Sequence, residues 1–143
     1  MPSNLLTLRV MAYNNAWANH RLISACTALS QAEFEAPRAS FFPSIQATLN
    51  HILVLDRFYV DALEGGKLGP EAWANPVPCP TLAELHPAQT AVDRRLIAWC
   101  NSMDESRPSQ TMRVRPTEVR LIEGVIHSSV EATALNRSPD FPF

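Results

Sequence analysis

Cysteine is scarce in this chain and badly spaced for cross-linking. The three present, Cys26, Cys79 and Cys100, are odd in number and far apart. That argues against a disulfide framework and against a CxxC zinc site, and it fits reduced thiols and a cytoplasmic location. No apolar run approaches the roughly 18 residues that a membrane span requires. The first residues, Met1-Pro2-Ser3-Asn4, lack the basic and apolar regions of a signal peptide. Neither sign of charge dominates: 12 basic and 14 acidic residues leave a net charge of −2. Neither nucleic acid nor membrane is therefore expected as a partner. Arg113, Arg115 and Arg120 read as a solvated loop rather than a phosphate site. There is no P-loop, no GxGxxG and no GxSxG, so phosphate cradles and hydrolase elbows have no footing.

What the chain does have is helical patterning. Its 143 residues, 46% of them apolar, suit a single domain over 1–143 with a real core. A first helix is predicted over 4–29, capped by Ser3. Leu5, Leu8, Met11, Ala12, Ala16, Asn19, Leu22, Ile23 and Cys26 supply its apolar stripe. A second is predicted over 44–64, with Ser44 as cap and Gly65-Gly66 as stop. A third opens on the capping box Thr81-Leu82-Ala83-Glu84 and runs to about residue 103. Pro87 implies either a kink or a later start. A last helix is predicted over 117–135, ended by Pro139 and Pro142, with a short extended segment around Met112–Val114 before it. The linker over 35–43 carries Phe41-Phe42, read as packed. The linker over 67–80 is pinned by Trp73. Four helices with two long connections predict an all-α four-helix bundle, whose sites are built from inward-facing side chains.

Among chemistry-bearing residues, His51 sits between apolar neighbours on the second helix. It reads either as a core histidine held by one hydrogen bond or as a metal ligand. Asp56 occupies the stripe Ile45, Leu49, Ile52, Tyr59, Leu63 and needs a partner there; an ion pair with Arg57, Arg21 or a histidine is expected. His127 and Glu131, four residues apart, share one helix face and with His51 could form a two-histidine, one-carboxylate set. Helical projection also puts that pair on the polar side, opposite Ile122, Val125, Ile126 and Val130, so an exposed role stays open. Cys26 and Cys100 read as core residues, and Cys79, between two prolines, as exposed. His20 and His86 read as surface residues.

Several segments in order resemble the DinB family of DinB/YfiT-like metalloenzymes. They are Tyr13-Asn14-Asn15-Ala16-Trp17-Ala18-Asn19, Phe41-Phe42-Pro43-Ser44-Ile45, Leu49-Asn50-His51-Ile52-Leu53-Val54-Leu55-Asp56-Arg57 and Asp93-Arg94-Arg95-Leu96. The resemblance covers about residues 5–110. It implies an up-down-down-up four-helix bundle, commonly a homodimer, in which three histidines bind a divalent metal, zinc or nickel. The first family ligand falls on His51. The other two normally come from a His-x-x-His-His-Arg-Gly-Gln type motif on the last helix. Here His127-Ser128-Ser129-Val130-Glu131 supplies one histidine and a glutamate, and Ala132-Thr133-Ala134 replaces Arg-Gly-Gln. A carboxylate substitution and a divergent or frame-shifted C-terminus both account for this.

Two functions follow from the resemblance. One is a metal-dependent enzyme of transferase or hydrolase type acting on a small molecule, with a low-molecular-weight thiol as possible co-substrate. His51, His127 and Glu131 would be its ligands. The other is a metal-free, non-catalytic dimeric helical protein that keeps the scaffold.

Overall fold

In a computed structural model of the chain, residues 4–104 are described. Helix starts follow the capping residues closely. The Ser44 hydroxyl accepts the Ala47 N–H at 3.0 Å and opens a helix over Ile45–Leu63. Thr81 and Glu84 complete the predicted capping box: the Thr81 hydroxyl accepts the Glu84 N–H at 3.3 Å, and the Glu84 carboxylate accepts the Thr81 N–H at 3.0 Å. That fixes the start of the helix over Leu82–Ser102. Pro87 lies inside it, so the later start allowed for by the sequence does not occur. Gly65, at φ +80°, takes the left-handed turn that ends Ile45–Leu63.

The helices are α1 (Asn4–Cys26), α2 (Gln31–Glu35), α3 (Ile45–Leu63) and α4 (Leu82–Ser102), with a 3-10 turn over Gly69–Trp73 between α3 and α4. No strand occurs among the described residues, so the fold is all-α. The short α2 falls outside the predicted set, although Ser30 and Glu33 form a capping box of the same kind as Thr81 and Glu84. The predicted helix over 117–135, the extended segment near Met112, the cap Ser3 and the Arg113–Arg120 cluster lie outside the described residues. None of the described helices is long and apolar enough to cross a membrane.

Side-chain pairs give the helix directions. Arg9 donates to the Cys100 and Met103 carbonyls at 3.3 and 2.8 Å, while Asn19 reaches Asp93, so α1 and α4 run antiparallel. Gln89 bonds Asp56 and Arg95 pairs with Glu64, so α3 and α4 run parallel. The core lies where these helices meet. Ile23, Cys26, Phe34, Leu49, Leu53, Val60, Cys79, Leu85 and Val92 form one buried cluster drawn from all four helices and the α3–α4 loop.

Three packing expectations are corrected. Cys79 is buried, not exposed, at 7% relative exposure. The Asn50 amide donates to its carbonyl at 2.9 Å and accepts its N–H at 2.8 Å, which draws the proline-flanked loop into the core. Leu8, Met11 and Leu22 lie on the exposed side of α1. The helix contacts the core along a narrower line through Ala12, Asn19, Ile23 and Cys26. Of the phenylalanine pair, Phe42 packs on His51, but Phe41 is 93% exposed. Trp73 does pin its loop, against Phe58, with ring centroids 4.6 Å apart.

Candidate functional site

His51 owes its position to its neighbour. Asn50 is fully buried, and its amide also reaches the Gln46 carbonyl at 3.0 Å, so the rotation of α3 is fixed at that point. One residue on, about 100° around the helix, His51 emerges half-buried at the edge of the core. Its imidazole lies against Phe42, with centroids 4.4 Å apart and planes tilted by 34°. Phe41 meets Phe42 edge-on at 5.0 Å, so an aromatic ledge flanks the imidazole.

No group of three His, Cys, Asp or Glu side chains placed to hold a metal occurs among the described residues. His127 and Glu131 lie outside them. The described residues therefore supply one donor, His51, of the three that the resemblance implies, and no reaction step is derived through a metal.

A second polar assembly lies between the helices. On α1 it comprises Asn15 and Asn19, on α3 Asp56, and on α4 Gln89 and Asp93. The Asp93 Oδ1 accepts amide N–H groups from Asn19 at 2.9 Å and from Asn15 and Gln89 at 3.2 Å each. The Asp56 Oδ2 accepts from Gln89 at 2.6 Å and Asn19 at 3.5 Å. The expected ion pair of Asp56 is thus corrected: among the described residues neutral amides, not arginine or histidine, satisfy it. Burial, opposed by the Gln89 hydrogen bond and reinforced by the nearby Asp93 charge, pushes Asp56 up to about 6. Burial also raises Asp93, against the pull of Asn19 and Gln89. The five residues cross-link three helices through a pair of acids whose pKa values burial raises. Sequence periodicity placed Asn19 in the buried stripe, but nothing in it linked Asn15, Gln89 and Asp93 to Asp56.

The surface histidines of the sequence reading turn out to be neighbours. His20 of α1 and His86 of α4 place their ring centroids 5.7 Å apart. Both line a cleft of about 270 Å³ between those helices, together with Gln89, Thr90, Asp93 and Arg94. Cys26 and Cys100 are buried as expected, and that burial raises both thiols, which suits core residues and not nucleophiles.

A family model described as the DinB family matches residues 1–123. The match extends beyond the resembling segments and ends before His127 and Glu131. No curated protein and no solved structure matches the chain.

Proposed function

The chain belongs to the DinB family, and we propose that it is a divalent-metal-binding member in which His51 is the first ligand and His127 and Glu131 complete the set. The observation that carries this reading is the presentation of His51. The family motif Asn50-His51-Ile52-Leu53 falls on a helix whose rotation is held by Asn50. The imidazole is left half-buried at the core edge, braced by Phe42. A metal-ligating imidazole needs such bracing, because ring orientation decides affinity as much as the donor atom does. Zinc or nickel bound there would lower the pKa of a coordinated thiol or water, which suits a transferase or hydrolase acting on a small molecule. In that reading His51 contributes a fixed neutral donor, and the Phe41–Phe42 ledge offers an apolar wall for the substrate.

Metal analysis of the purified full chain tests the proposal. The wild type is expected to carry about one zinc or nickel per chain, and His51→Ala to lose it, with His127→Ala and Glu131→Gln weakening retention. Equal metal content in wild type and His51→Ala would sink this assignment. Wild type that takes up no metal after stripping and re-addition would favour the metal-free dimeric scaffold instead.

A further inference from the structure

We propose that His20 and His86 form a second transition-metal site, in the α1–α4 cleft, independent of His51. The two imidazoles come from different helices, yet their ring centroids stand 5.7 Å apart with planes tilted by 39°. A metal–nitrogen bond of about 2.0–2.1 Å puts an imidazole centroid about 3.2 Å from its ion. Two centroids 5.7 Å apart then subtend about 125° at a shared ion, within reach of tetrahedral geometry. Among the described residues neither imidazole has a hydrogen-bond partner, so their ring nitrogens are available as donors.

The cleft behind the pair favours a cation. Asp93, only 6% exposed, lines it. All three of its amide contacts fall on Oδ1, leaving Oδ2 without a partner among the described residues. Arg94 lines the same cleft from the exposed surface of α4, where its charge is screened by solvent. Because three side-chain donors of the usual kinds do not converge among the described residues, the ion would keep open positions for water or a small ligand entering the cleft. Two imidazole donors select zinc, nickel or copper over calcium or magnesium, which require oxygen ligands. His51 does not line this cleft, so the two sites stand or fall separately.

The test is calorimetric titration of the chelator-stripped full chain with zinc chloride alone, for wild type, His20→Ala, His86→Ala and His51→Ala. Removing even a group that merely supports a ligand costs about 10–100-fold, so each of the first two variants is expected to weaken one binding event by at least about tenfold. His51→Ala is expected to leave that event unchanged, and calcium to give no comparable heat. His20→Gln and His86→Asn keep hydrogen-bonding bulk and should fail to bind in the same way, and circular dichroism is expected to be unchanged in all. Zinc binding insensitive to both His20 and His86, or sensitive only to His51, would overturn the proposal.

Discussion

At the scale of single residues, Asp56 is the most consequential departure from what its surroundings prefer. A carboxylate among apolar positions of α3 is held by the neutral amides of Asn19 and Gln89, beside a second acid, Asp93. Its folded-state pKa, about 6, exceeds the ordinary 3.8. Below about 3.8 both folded and unfolded chains hold the proton, and the stability carried by neutral Asp56 is fully present. As pH rises the unfolded chain releases it first, so this contribution is lost through the window up to about 6 and stays lost above it. Asp56→Asn keeps an oxygen for both amides and removes the titration. It is expected to stabilise the protein near pH 7 by about 1–3 kcal/mol, with the gain vanishing towards pH 4. Chemical denaturation at several pH values measures this, and a neutral-pH loss in the variant would show that the amides favour the charged form. Asp56 stood out in the sequence because an acid broke an apolar line. Its partners did not, because amides on other helices carry no periodic signal.

At the scale of elements, the connection between α3 and α4 depends on one side chain. Asn50 bonds both the N–H and the carbonyl of Cys79, which seats a loop with prolines at 76, 78 and 80 against the core. Asn50→Ala would leave two buried backbone groups unpaired, each costing about 1–3 kcal/mol. A total loss of about 2–6 kcal/mol is expected from denaturant midpoints. Cys79 should at the same time become reactive towards a thiol reagent that leaves the wild-type residue untouched. Unaltered Cys79 protection in the variant would mean that the loop is seated by apolar contacts alone. The loop reads as exposed from sequence because prolines and a short polar context usually mark surface turns. Here burial is imposed by an asparagine 29 positions away.

At the scale of the molecule, three long helices and one short one among the described residues meet in one core, and α2 contributes more than its length suggests. Phe34, from a helix of five residues, is fully buried among residues of α1, α3, α4 and the α3–α4 loop. Phe34→Ala is expected to cost about 3–5 kcal/mol, read as a lower denaturant midpoint at unchanged slope. A loss under about 1 kcal/mol would show that α2 docks weakly and that the other elements hold the core without it. The sequence by itself determined where α3 and α4 begin and end and where α1 begins, though not its end, expected at residue 29 and found at Cys26, together with the all-α class and the membership signalled by the Asn50-His51-Ile52-Leu53 segment. Caps, glycine stops and helical periodicity act within a turn or two, so they can be read without knowing what the chain packs against. Only the tertiary structure decided that Cys79 is buried, that Asp56 is held by amides, that Leu8, Met11 and Leu22 face outwards, and that His20 meets His86. Each of those outcomes depends on which helix faces are brought together by packing. That is a property of distant pairs, which no local pattern encodes.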